Sequence, residues 1–271
     1  MSQPENIAQI VLGAVAISGP DAAAFVQSQL TLDIDEAEAN RLYPAAWCSP
    51  DGRVDVVVLV ALEDRQITLI LPSTMVEAVV KRVGMYSIGR QVKVRKETHS
   101  VGPAHLDHNH KRALALSCDS DRSLAIADAD NAEISGNAAW RLPVDWLRAD
   151  IGCGMPWILP ETSRLFLPQM LGLEALGGLS YKKGCFPGQE VIARVHYRGR
   201  VTRRLARFRL KTDRPPSPGT TFELAGKPAC VLYGVAGANA AGEFDGLAVV
   251  SADAEPESDI RISDDTGALV S

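Results

Sequence analysis

No stretch limits the fold of this chain more than Val54 to Leu62, Val-Asp-Val-Val-Val-Leu-Val-Ala-Leu, which is β-branched or aliphatic apart from Asp55. Such a run between turn signals reads as a buried strand. Ser49–Pro50–Asp51–Gly52 precedes it, a turn in which proline presets φ and glycine accepts the closing conformation. Tyr43 to Cys48 leads into that turn, and Gln66 to Leu71 returns as another strand after Glu63–Asp64–Arg65.

Upstream, Val11 to Ser18 reads as a strand, and Ser18–Gly19–Pro20–Asp21 opens a helix with Ala22, Phe25, Val26 and Leu30 on its apolar face. Downstream, Thr74-x-x-Glu77 has the form of a capping box ahead of Met75, Val76, Val79, Val80 and Val83, an amphipathic helix. Val92 to Arg95 alternates as a strand. The expected order is β, α, β, β, α, β, an α+β arrangement with its helices on one face of an antiparallel sheet.

His99 to Lys111 carries His105, His108 and His110, and reads as a solvated linker rather than a metal site, because no nearby segment supplies a second shell. Ala113 to Ser117 and Ser123 to Ala127 look like strands of a second, shorter unit. Leu142–Pro143–Val144–Asp145 starts a helix through Trp146 and Leu147, and Gly152–Cys153–Gly154 ends it. Periodicity is lost from Met155 to Gly178, a long loop of site-lining character. Past Val201 the composition changes to short strands at regular spacing, which suggests a small β-barrel. The expected domains are 1–200, with an internal break near 96–112, and 201–271.

With 46% hydrophobic and 23% charged residues the chain is globular in composition, and its net charge of −5 argues against direct nucleic-acid binding. The first apolar run is too short to span a bilayer, so no membrane association is expected. Five widely spaced cysteines, Cys48, Cys118, Cys153, Cys185 and Cys230, fit reduced thiols in a cytoplasm better than disulfides or a zinc site.

One cysteine stands apart. Cys185 lies between Lys182–Lys183–Gly184 and Phe186–Pro187–Gly188, just before a helix with Val191, Ile192 and Val195 as its apolar side. Positive charge and a helix N-terminus both favour a thiolate. Basic residues crowd the span from Lys182 to Lys211, where Glu190 is the sole acid. Of these, Lys182, Lys183, Arg194 and Arg198 lie nearest the glycine turn, where they could hold a carboxylate- or phosphate-bearing ligand. Trp146 and Trp157 could each stack on a planar ligand or simply pack in the core. Phosphate-loop, dinucleotide, nucleophile-elbow and zinc-protease motifs are absent.

Lys183–Gly184–Cys185–Phe186–Pro187–Gly188–Gln189–Glu190 resembles the signature of the YgfZ family of folate-binding proteins, relatives of the glycine cleavage T-protein. Phe166-x-Pro168–Gln169 and Val191–Ile192–Ala193–Arg194 agree with it, and Ser18–Gly19–Pro20–Asp21 through Gln27-x-Gln29-x-Thr31-x-Asp33 is similar to that family's opening helix. The resemblance implies ferredoxin-like folate-binding units followed by a C-terminal β-barrel. It also implies binding of tetrahydrofolate or a one-carbon-substituted folate, in support of iron–sulfur cluster assembly or repair, including in tRNA-modifying enzymes that carry such clusters. Cys185 is then the functional thiolate. Trp146, Lys182, Lys183, Gly184, Gln189 and Arg194 are the candidate folate contacts, no metal ligands are assigned, and iron–sulfur client or assembly proteins are the expected partners.

Two other functions compete with this one. A folate-dependent aminomethyltransferase or demethylase would need the T-protein's acid-bearing segment, which is missing after Leu71, where the chain reads Pro72–Ser73–Thr74–Met75. An RNA-binding module could use the arginines from Arg198 to Arg209, but only one aromatic residue, Phe208, is interleaved with them and the net charge is acidic.

Overall fold

A computed structural model describes residues 10–39, 41–63, 65–97, 100–103, 112–117, 119–127, 142–212, 216–224, 226–236, 243–255, 259–262 and 265–270. The histidine-bearing segment with His105, His108 and His110 lies outside them, as does Cys118.

Eight strands form one sheet: β1 (Leu12–Ser18), β2 (Arg41–Cys48), β3 (Val54–Leu62), β4 (Gln66–Pro72), β5 (Lys93–Glu97), β6 (Ser100–Pro103), β7 (Arg112–Leu116) and β8 (Asp119–Ala127). Their spatial order is β5-β1-β4-β3-β2-β7-β8-β6. All neighbours run antiparallel except β2 and β7, whose short parallel pairing, Arg41 with Ala115 and Leu42 with Leu116, joins the last three strands to the first five. Helix α1 (Ala22–Gln27) follows β1, and α2 (Val76–Tyr86) follows β4. Three strands therefore stand between these helices, not two, because the lead-in to the Ser49–Gly52 turn pairs along β3 from Leu42 to Cys48.

The apolar run that makes up β3 is explained by what covers it. Val56, Val58 and Val60 point into a core shared with α1 and α2, where Phe25, Trp47, Leu69 and Val79 also lie. Val57, Leu59 and Ala61 point the other way, into a second core with Trp146, Trp157, Phe166, Ile192 and Tyr233. The sheet is thus buried on both faces: α1 and α2 lie together on one, as the sequence predicts, and the second core covers the other. A strand covered on both sides has no solvent-facing positions to leave polar.

The capping box at Thr74 and Glu77 does not form. Ser73–Met75 is a 3-10 turn, α2 begins at Val76 with no side-chain cap, and Glu77 pairs with Lys96 of β5. Helix α3 (Val144–Cys153) ends on Gly154, whose left-handed conformation closes it as the sequence predicts. Past the 155–188 loop, α4 (Gln189–Arg198) leads to β9 (Arg203–Lys211), β10 (Thr221–Leu224), β11 (Lys227–Ala236), β12 (Glu243–Ser251), β13 (Asp259–Ile262) and β14 (Asp265–Val270). These six close in the order β10-β11-β12-β9-β14-β13.

The inward side of β9 is Ala206, Phe208 and Leu210, so Leu205 falls on the opposite face, against the larger core. Leu232, Tyr233, Val235, Leu247 and Val249 of β11 and β12 enter that same core, and the Tyr233 hydroxyl donates to the Met155 carbonyl at 2.8 Å.

Candidate functional site

The loop that carries Cys185 is pinned to the sheet at two places. On one side, Gly188 adopts φ +80° against the β2–β3 turn, where an added Cβ would stand 2.5 Å from Gly52 Cα and 2.6 Å from the Ser49 carbonyl oxygen. Only glycine on glycine allows that approach. Gln189 N–H then donates to the Phe186 carbonyl at 3.1 Å, and Ile192, the one buried residue of α4, receives support from Gln169, whose Nε2 donates to its carbonyl at 2.7 Å. The expected three-residue apolar face of α4 is corrected: Val191 is exposed and Val195 only half-buried.

On the other side, the segment after α1 holds the loop. Thr31 is fully buried; its hydroxyl donates to the Gly178 carbonyl at 2.6 Å and accepts the Ala46 N–H at 2.8 Å, while its own carbonyl accepts the Ser180 N–H at 2.9 Å. Lys183 turns inward, 7% exposed. Its ammonium donates to the carbonyls of Leu30 at 2.8 Å and Leu32 at 2.5 Å, and to Gln27 Oε1 at 3.2 Å. Gln27 in turn donates to Asp33 at 2.7 Å and accepts the Ile34 N–H at 2.9 Å. Burial pushes the Lys183 amine down to about 8, against the pull of Asp33 and Asp35 in the other direction. The alternating Gln27, Gln29, Thr31, Asp33 pattern and the Lys183–Glu190 signature, some 150 positions apart, are therefore two halves of one clasp. The polar residues at every second position from the end of α1, Gln27, Gln29, Thr31 and Asp33, are the sequence signal that points to Gln27 and Thr31.

Between the two attachments, Gly184 and Cys185 are exposed. Among the described residues Cys185 is the one exposed cysteine: Cys48 and Cys230 are buried, and burial pushes both thiols up. Cys153 is half-buried and accepts a hydrogen bond from Arg122 at 3.3 Å. Lys182 and Arg194 are exposed, and Gln189 Nε2 reaches the Lys183 carbonyl at 3.4 Å.

Trp146 is placed differently from the rest. It is buried on α3, with the Arg122 guanidinium 4.8 Å over its ring. Arg122 bonds Asp150 at 2.6 Å and Asp119 at 2.6 Å, and Asp150 also accepts the Trp157 indole N–H at 2.8 Å. Burial pushes the Asp150 carboxyl up, while Trp157 and Arg122 draw it back; with a cation and an indole both donating to it, it stands as a charged acceptor. Trp146 and the signature loop border the same core, through Phe186 and Ile192, but one face of the indole is already covered.

A groove of about 390 Å³ lies beside α2, lined by Ser49, Asp55, Arg82, Tyr86, Ser163 and Arg164 among others; none of the seven expected site residues lines it. Among the described residues no helix is long and apolar enough to cross a membrane.

No family model matches the chain. It is 27% identical to the tRNA-modifying protein YgfZ of Klebsiella pneumoniae (strain 342), over 93% of this chain and 87% of that one. It is 26% identical to the protein of the same name from Cronobacter sakazakii (strain ATCC BAA-894), over 77% and 72%. Among solved structures, the glycine cleavage system aminomethyltransferase T from Bartonella henselae superposes with a TM-score of 0.70 and 13% identity, covering 96% of this chain and 82% of that one. The chain is similar to the YgfZ proteins over most of its length and shares the fold of the glycine cleavage T-protein.

Proposed function

We propose that this protein is a tetrahydrofolate-binding accessory factor for tRNA modification, supporting iron–sulfur cluster assembly or repair in the enzymes concerned, with Cys185 as its working thiolate. The observation that carries this reading is the clasped loop, which leaves Cys185 exposed while its flanks are held by buried hydrogen bonds. A tethered, open thiol suits exchange with a partner protein; a thiol meant only for packing would be buried, as Cys48 and Cys230 are.

Some of the chain's groups fit a folate. Lys182 and Arg194 are exposed cations that would take its glutamate carboxylates. The amide oxygens of Gln29 and Gln169 are buried without a donor, and they belong to the two segments hydrogen-bonded to the loop and to α4. A buried acceptor left unpaired is costly, and a pterin ring presents N–H donors. When bound, tetrahydrofolate supplies one-carbon chemistry; the chain's own residues bind it and hold Cys185 at its edge. Lys183 acts in this reading by fixing the loop, and Trp146 by packing beside the site. The two domains are 1–200, which carries the site, and 201–271, which supports α3.

Calorimetric titration of tetrahydrofolate into wild type, Trp146→Ala and Cys185→Ala tests the folate half, with binding expected in wild type and retained in Cys185→Ala. Absence of binding to wild type sinks it. In cells lacking the protein, Cys185→Ala should fail to restore iron–sulfur-dependent tRNA modification; full restoration removes the thiolate role. The T-protein fold also prompts a second reading, folate-dependent aminomethyl transfer, which would show as turnover with tetrahydrofolate and an aminomethyl donor.

A further inference from the structure

The side of α4 opposite Ile192 carries aromatic rings and further arginines that the folate reading, which takes only Lys182 and Arg194 from this region, does not use. Counting 100° per residue, Glu190, Arg194, Tyr197 and Arg198 share that outward side. Tyr197 is 68% exposed, and Arg194, His196, Arg198 and Arg200 are exposed as well. The loop before Cys185 brings Tyr181 across to this helix. Its ring stacks on His196 with centroids 3.7 Å apart and 23° between planes, and Tyr197 stands edge-on to His196 at 4.7 Å and 86°. Tyr181 is fixed in turn by its hydroxyl, which donates to Glu174 at 3.2 Å.

Around this aromatic platform the guanidiniums of Arg194, Arg198 and Arg200 make no ion pair among the described residues, and the Lys182 ammonium makes none either. In a chain of net charge −5, exposed cations without an ion pair on and beside one short helix call for an anionic partner. Cations spread from Lys182 to Arg200 suit a polyanion, whose charges repeat, better than a single carboxylate. An exposed ring braced by two others suits a planar base, because the platform is already ordered before anything stacks on it. Backbone cations together with a stacking face are the combination that single-stranded nucleic acid requires.

We propose that this face of α4, with Tyr181 and Tyr197 as its stacking platform and Lys182, Arg194, Arg198 and Arg200 as its phosphate contacts, binds an unpaired stretch of RNA. It places an RNA next to the exposed Cys185, four residues from Tyr181 in the chain. The sequence reading set RNA aside for want of interleaved aromatics; the fold supplies them from two separate segments. The proposal does not require folate binding and is tested without it.

Fluorescence anisotropy on the full chain, with a labelled RNA hairpin carrying an unpaired loop, tests it at about 50 and about 200 mM salt. The loop should bind at the lower salt, and more tightly than a blunt RNA duplex. Arg194→Gln with Arg198→Gln should lower the log–log salt slope by about 1.4, the value for two phosphates on a single strand. Tyr197→Ala should weaken loop binding by roughly 5- to 100-fold and leave the salt slope unchanged. All three substitutions lie on exposed side chains, and circular dichroism checks that each variant is folded. A DNA hairpin of the same sequence separates preference for RNA from general single-strand binding, and equal affinity for the two overturns the RNA assignment. No loop binding at low salt overturns the proposal, as does binding that neither the arginine pair nor Tyr197→Ala alters. Capture of an acidic iron–sulfur client through the same arginines, with RNA unbound, also overturns it.

Discussion

Two sets of arginines and aromatic rings, built from similar parts, meet opposite fates in this protein. In the first, Arg122 lies over Trp146 and is consumed by Asp150, Asp119 and Cys153, while Trp157 bonds the far oxygen of the same Asp150. In the second, Tyr181 stacks on His196 and Tyr197 meets both edge-on, on the helix that carries Arg194 and Arg198, and those guanidiniums remain in solvent. A buried charge must be matched within the protein, because leaving it unpaired costs several kcal/mol; an exposed one has no such need and stays available to a partner. The first set therefore holds α3, β8 and the loop after α3 together, and the second faces outward. Tryptophan on a glycine-stopped helix looked the better ligand contact in the sequence, yet Tyr197 is the ring left open.

Substitutions should separate the two sets by size of effect. Asp150→Ala strands the Arg122 guanidinium and the Trp157 N–H, and should lower unfolding free energy by about 3–5 kcal/mol in a denaturant titration. An effect below about 1 kcal/mol would mean that the network is not a closed one. The clasp that presents the outer set comes next. Lys183→Met leaves the Leu30 and Leu32 carbonyls without their donor, for an expected loss of about 1–3 kcal/mol. Gly188→Ala meets both a left-handed φ and the Gly52 backbone, and should cost more than about 1 kcal/mol, with new protease sensitivity around Cys185. Replacing Arg194 and Arg198 by glutamine should change stability by no more than about 0.5 kcal/mol, since neither is paired in the fold.

The clasp also implies a pH dependence. The Lys183 amine is pushed down to about 8 in the fold from its ordinary 10.5, so between those values the unfolded chain holds more protons than the folded one. Stability should therefore rise with pH through that window, and Lys183→Met should lack this increment. A wild-type midpoint that falls over the same range, and does so no less in the variant, would show that the buried amine is not the group responsible.

Much of the scaffold was legible before any coordinates. Val54–Leu62 emerges as β3 with those bounds, the Ser49–Gly52 turn forms, and Gly154 stops α3. These are local outcomes: nine apolar residues, a proline followed by a glycine, and a glycine at a helix end each have one inexpensive conformation. The capping box failed because contacts far in sequence set the chain there: the Ser73 N–H donates to the Val11 carbonyl at 2.8 Å, and Ser73–Met75 turns as a 3-10 helix so that α2 begins only at Val76. The apolar side of α4 was overcounted for a similar reason, since only the position facing Gln169 and the core is covered.

The site divides along the same line. Residue type and spacing alone marked Cys185 and its glycine-rich turn, because a thiol among lysines, glycines and a proline is a chemical statement in one dimension. Three matters were decided only by the tertiary structure. Lys183 points inward to Leu30 and Leu32 rather than outward to a ligand, Trp146 is capped by Arg122, and Tyr181 reaches His196 on the next helix. The reason is physical. Whether a cation or a ring is free depends on which buried acceptors and opposite charges surround it, and those come from segments the sequence places 15 to 150 positions away.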